Sequence, residues 1–230
     1  MPQKPLPLID AIAQLPLHYW KILRKPGARS FAEESGRAKW DILLVQFIGY
    51  ILIDGLLGWL HNTLYPIVAQ PVPVAPGSGV SQAEVAQIQS AAIAIASFIT
   101  GPGLFILVPL GFLLYQSVAF GIARAFGGRG TFLAQSYTIL LIYVPIGLIT
   151  IALSYIELSF APLGIIGGLL GLALDVYGIV LSVFAMMGVH RLTGGKASAV
   201  ALLPFVALLL LACCVLTLVV FVVVGNAVPQ

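Results

Sequence analysis

Residues 131–156 read TFLAQSYTILLIYVPIGLITIALSYI and contain no Asp, Glu, Lys or Arg. A helix needs roughly 20 mostly apolar residues to cross a hydrocarbon layer about 30 Å thick, and this stretch exceeds that. It predicts a transmembrane helix, because only a helix or a closed barrel satisfies its own backbone groups in lipid. Four other stretches qualify on either side of it: 40–60, 103–123, 163–189 and 200–224. The sequence thus predicts an all-α integral membrane bundle of five transmembrane helices. Its parts are a cytoplasmic N-terminal interfacial segment (1–39), a transmembrane domain (40–224) and an external tail (225–230).

Composition agrees. The 230 residues are 60% hydrophobic and only 8% charged, against about 25% charged in an average soluble domain. This argues against a soluble enzyme, a disordered tail and a nucleic-acid partner. Net charge is +3 and the isoelectric point is near 9.0, but placement matters more than the sum. Lys4, Lys21, Arg24, Lys25, Arg29, Arg37 and Lys39 precede the first span; Arg124 and Arg129 follow the second; Arg191 and Lys196 follow the fourth. With five spans every Lys and Arg falls on one side, and the positive-inside rule puts the N-terminus in the cytoplasm and the C-terminus outside. The first apolar run begins only near residue 40, too late for a cleaved leader.

A rival reading makes 82–99 a sixth span. Ser81-Gln82-Ala83-Glu84 reads as a capping box, and Val85, Ile88, Ala92, Ile95 and Ile99 share one helical face. The five-span reading treats this as an amphipathic helix on the outer face, bent into the next span at Gly101-Pro102-Gly103. Between 66 and 79 the density of Pro and Gly predicts an irregular connector. Upstream, Leu8, Ile12, Leu15, Tyr19 and Leu23 share a face if the chain bends at Pro16 instead of breaking. With Trp20, Lys21, Arg24 and Lys25 beside it, that face predicts a helix on the inner leaflet, with a solvated tail as the alternative.

Ionisable side chains inside spans are costly and mark function or pairing. Gln46, Tyr50, Asp54, Gly58 and His61 lie on one face of the first span. Asp175 lies on a face with Gly164, Gly168, Gly171 and Gly178, a small-residue track that predicts close helix packing. Ser136, Tyr143, Gly147, Thr150 and Ser154 form a third face, and Pro145 predicts a kink. Asp54, Asp175, Tyr50 and Tyr143 are therefore the candidate intramembrane polar site, read either as interhelical hydrogen bonding or as a polar pathway for a proton, ion or lipid head group. Trp20, Lys21, Arg24, Lys25, Arg129, His190, Arg191 and Lys196 are the candidate cytoplasmic interface.

Motifs for chemistry are sparse. His18, His61 and His190 lie on separate segments, and neither a zinc-binding helix motif nor a serine elbow is present. Gly194-Gly195-Lys196-Ala197-Ser198 matches a phosphate-binding loop only superficially, since Ala197 stands where Ser or Thr is needed. Cys213 and Cys214 are adjacent and give no metal spacing. No catalytic residue, metal or cofactor is assigned.

The string Phe126-Gly127-Gly128-Arg129-Gly130-Thr131-Phe132, with Ser136-Tyr137 and Tyr143-Val144-Pro145, resembles the central pattern of the Yip domain family, the Ypt/Rab-interacting membrane proteins and their bacterial relatives. Tyr177 to Met187, then Gly188-Val189-His190-Arg191-Leu192, Gly195-Lys196-Ala197 and Leu203-Pro204, is similar to the family's fourth-to-fifth helix junction. Trp20-Lys21-Ile22-Leu23-Arg24-Lys25-Pro26 with Phe31 is similar to its pre-membrane segment. The resemblance spans roughly residues 20–220. It implies five membrane helices, a cytoplasmic N-terminus and a non-enzymatic role in organising or recruiting membrane components. Eukaryotic members are linked to Rab GTPases and vesicle traffic. This chain lacks their long N-terminal region and Asp-Leu-Tyr-Gly-Pro pattern, so the resemblance gives little support to a GTPase partner. It points to the prokaryotic branch and a prokaryotic cell membrane. The expected partners are the lipid bilayer and other membrane proteins; the alternative function is a small transporter, channel or lipid-moving protein using Asp54 and Asp175.

Overall fold

A computed structural model describes residues 7–66, 81–159 and 164–227. Among them are eight helices and no strand: α1 (Leu8–Arg24), α2 (Ala28–Ser35), α3 (Trp40–Leu64), α4 (Gln82–Thr100), α5 (Leu104–Ala125), α6 (Phe132–Ser159), α7 (Gly164–His190) and α8 (Gly194–Ala227). The predicted connector at 66–79 lies almost wholly outside the described residues, as does the end of the tail. Six helices, α3 to α8, are long and apolar enough to cross a membrane. The count therefore includes α4, which the five-span reading leaves out.

Contacts fix the helix directions. Tyr50 on α3 meets Gly147 on α6, and Tyr155 of α6 donates to the Leu57 carbonyl at 2.6 Å, so α3 and α6 run parallel. Phe47 stacks on Phe112 with ring centroids 4.7 Å apart, while Gly55 abuts Phe105; α5 is therefore antiparallel to α3. Tyr115 of α5 donates to the Ala201 carbonyl of α8 at 2.9 Å. Taken with the short turns at 126–131 and 191–193, these contacts make α3, α5, α6, α7 and α8 alternate up and down. The start of α3, the α5–α6 turn and the α7–α8 junction share one end, here the near face.

The packed core lies at that end. Ile42, Leu43, Ala119, Ala123, Tyr137, Ile139 to Ile142, Leu181, Met186, Ala197 and Val200 are all buried. Farther along, Leu44, Ile48, Leu52 and Leu56 of α3 and Ile165, Leu169, Leu172 and Val176 of α7 point outward. Such bands of large apolar side chains need hydrocarbon as their solvent.

Helix α4 begins with the capping box: Ser81 Oγ accepts from the Glu84 amide at 3.2 Å and the Glu84 carboxylate accepts from the Ser81 amide at 2.7 Å. None of its residues is buried. Its last turn meets the far end of α3, where Asn62 Nδ2 donates to the Ser97 carbonyl at 3.0 Å. The Gly103 amide then donates to the Phe98 carbonyl at 2.7 Å and closes the bend into α5.

The N-terminal segment departs from the sequence expectation. Helix α1 runs through Pro16 unbroken, and its apolar face packs on the bundle instead of a leaflet: Leu15 and Ile22 are buried, Tyr19 donates to Gln46 Oε1 at 3.2 Å, and Tyr177 donates to the Leu23 carbonyl. Protein supplies the apolar partner that lipid was expected to supply. Phe31 is fully buried, and α2 seats on α7 at Gly188, where any Cβ would strike the Ala28 carbonyl oxygen. The continuous α6 likewise passes Pro145 without a break.

Candidate functional site

The four proposed intramembrane residues, on three helices, line a single cavity. It encloses about 440 Å³, with Tyr50 and Asp54 from α3, Tyr143 from α6 and Asp175 from α7 on its walls. Local sequence explains the meeting. Tyr50 and Asp54 are four residues apart and share a face. Gly147 makes room for Tyr50, and a Cβ at Gly178 would stand 3.3 Å from an Ile146 methyl, so its absence lets α6 and α7 approach closely. Ser182 lines the same wall, its hydroxyl donating to the Gly178 carbonyl at 2.8 Å. The glycine track is used only in part, because Gly168 and Gly171 face open space. Asp175 lines the cavity yet remains exposed, at its rim.

Two carboxyl groups with tyrosine and serine hydroxyls can hold protons, cations or polar solutes. No Lys or Arg lines the cavity to neutralise them. No cluster of three or more His, Cys, Asp or Glu suited to a metal occurs among the described residues. Thr150, already placed on the third polar face, also lines the wall, as do Tyr115 and Ser182, which escaped sequence reasoning. Tyr115 stands beside Gln116 and Ser117 in an otherwise apolar span, a polar run that could have flagged it.

The candidate interface residues form three groups on the near face. Trp20 is 62% exposed, and with Ile9 (80%) and Leu17 (70%) it forms the outer side of α1; Arg24 and Lys25 are exposed next to it. Lys21 faces inward, donating to Glu34 Oε1 at 2.7 Å and to Glu33 Oε2 at 3.3 Å. Arg129, His190, Arg191 and Lys196 come together around a second cavity.

Glu34, missed in the sequence, is the polar centre of the N-terminal module. It is fully buried, with Lys21 on one oxygen and His18 Nδ1 2.9 Å from the other. Arg37 Nη1 donates to His18 Nε2 at 3.2 Å, which leaves the imidazole proton on Nδ1, facing Glu34. Burial pushes the Glu34 pKa up, but hydrogen bonds from His18 and Lys21 and the Lys21 charge outweigh it and hold the pKa at about 2. His190 is also more structural than expected. It is 1% exposed, and its Nε2 lies 2.9 Å from Gln135 Oε1, while Gln135 Nε2 donates to Gln116 Oε1 at 2.7 Å. That orients the amide so that His190 Nε2 carries the proton. This buried chain ties α7, α6 and α5 together.

Apolar helices of membrane length around a polar cavity define an integral, multi-pass membrane protein. The model of the Yip1 domain matches residues 20–216, and the chain belongs to that family of non-enzymatic membrane proteins. No curated protein and no solved structure matches it. Membrane trafficking fits the family.

Proposed function

We propose that the protein is a non-enzymatic membrane organiser that recruits membrane components to its near face, which is cytoplasmic. The observation that carries this reading is the outer side of α1. The module is fastened to the bundle by Ile22 and Phe31 and held together by Glu34, yet it presents Ile9, Leu17 and Trp20 outward beside Arg24 and Lys25. A side chain such as Trp20 gains most by burial against a partner. The partners are the bilayer and other membrane proteins. The test is cross-linking and mass spectrometry in native membranes with Ile9→Ser, Leu17→Ser and Trp20→Ala combined. Loss of neighbours is the expected result, and an unchanged set of neighbours rejects the reading. These surface changes are preferable to deleting the segment, which would remove buried Ile22.

In this reading five helices cross, with residues 1–39 inside, 40–224 spanning and 225–230 outside. Parity supports it, because α3 ends and α5 begins at the same far end. A crossing by α4 would require the Pro66, Pro71, Pro73 and Pro76 stretch to cross as well, and that is a poor helix former. Ten cations among the described residues then lie toward one side.

A second reading, transport or lipid movement, is favoured by the cavity holding Tyr50, Asp54, Tyr143 and Asp175. It requires flux of protons, small cations or lipid in reconstituted liposomes that falls in Asp54→Asn and Asp175→Asn. Flux equal to empty liposomes rejects it.

A further inference from the structure

The second cavity, of about 320 Å³, lies between the α5–α6 turn and the α7–α8 junction. Arg129 enters it from the turn, and Arg191 and Lys196 enter it from the junction. Every ion pair among the described residues lies within α1, α2 and the following Arg37, so none reaches these three cations. Like charges at this range repel, yet the backbone fixes them together. Gly127 adopts φ +85°, and the Gly128 amide donates to the Ala123 carbonyl at 2.8 Å, a compact helix ending that needs a residue without Cβ. The Arg129 amide donates to the His190 carbonyl at 3.2 Å, and Lys196 Nζ donates to the Phe126 carbonyl at 3.3 Å. Arg191 is held at φ +56°, a left-handed conformation that costs a side-chain-bearing residue energy.

One further feature points to an anion. The cavity borders the start of α8, whose first amides lack intrahelical acceptors and whose dipole adds positive potential. Two guanidinium forks, an ammonium and helix amides suit several oxygens spread over one small, highly charged group.

We propose that this pocket binds a phosphate group, carried either by an anionic lipid head group or by a soluble phosphate. Its place at the ends of the four helices α5 to α8 puts it at head-group depth. The site stands apart from the recruiting role, since a chain that lost its neighbours at Trp20 would keep it.

The test uses the full chain in nanodiscs. In pure phosphatidylcholine discs, inorganic phosphate is titrated by calorimetry. In discs of equal phosphatidylcholine and phosphatidylglycerol, retained lipid is measured by native mass spectrometry. The pocket variant is Arg129→Gln with Arg191→Gly, the glycine suiting the left-handed backbone. Arg29→Gln with Lys39→Gln removes the same charge from the same face outside the pocket. Saturable binding in at least one arm, weakened about ten-fold by the pocket variant and unchanged by the control, is expected. Phosphate binding in neutral discs identifies a soluble source, and retention of phosphatidylglycerol alone identifies a lipid. Absence of saturable binding in both arms, or equal weakening by the control, overturns the proposal. Thermal unfolding of both variants confirms that each remains folded, and Arg129→Lys with Arg191→Lys should restore binding.

Discussion

Tyr50 occupies the space that a side chain at residue 147 would need: a Cβ on Gly147 would stand 2.7 Å from the Tyr50 hydroxyl oxygen and 2.9 Å from its ring. Gly147→Ala must therefore push Tyr50 off the cavity wall or separate α3 from α6. Overpacking of this kind costs about 1–3 kcal/mol, so the melting temperature in detergent should fall. Adding Tyr50→Ala should recover much of that loss, since the two changes act on one contact.

Gly188 is the corresponding point for the N-terminal module. Its Cβ would collide with backbone at Ala28 and Ala32, where no rotamer change gives relief. Gly188→Val should detach α2 from α7 and raise the rate of tryptic cleavage after Lys21 or Arg24 about ten-fold or more, while the bundle stays intact.

Acid should release the same module. The Glu34 pKa is about 2 in the fold against an ordinary 4.5. A pKa lowered by folding contributes stability above the unfolded value, and that contribution is lost as pH falls through the folded one. Spin labels at Leu17 and Thr193 should keep one distance at neutral pH and separate as pH drops from about 4.5 toward 2. In Glu34→Gln the distance should no longer respond across that window.

The bundle was legible because apolar runs such as 131–156 leave few alternatives, and the capping box at Ser81 located α4 to the residue. Asp54, Tyr50, Tyr143 and Asp175 were legible as polar residues in apolar spans, although their meeting in one cavity depends on crossings at Gly147 and Gly178 that spacing alone does not fix. Periodicity placed Leu15 and Tyr19 on an apolar face but could not say whether lipid or protein covers it; Gly188 and Gln46 decide that from distant parts of the chain. Glu34 looked like one charge in a charged segment until folding brought His18 and Lys21 to it. His190 looked like a surface cation, and only its contact with Gln135 reveals a buried neutral ring.

The most direct measurement is the sidedness of the near face, on which the cytoplasmic platform depends. With Cys213 and Cys214 replaced by Ala, single cysteines at Ser30, Gln82, Ala125 and Thr193 are treated with a membrane-impermeant maleimide from outside intact cells. The account predicts labelling at Gln82 alone, with Ser30, Ala125 and Thr193 reacting only after permeabilisation. External labelling at Ala125 or Thr193 would contradict it, because the near face, with its cations, would then lie at least in part outside the cell.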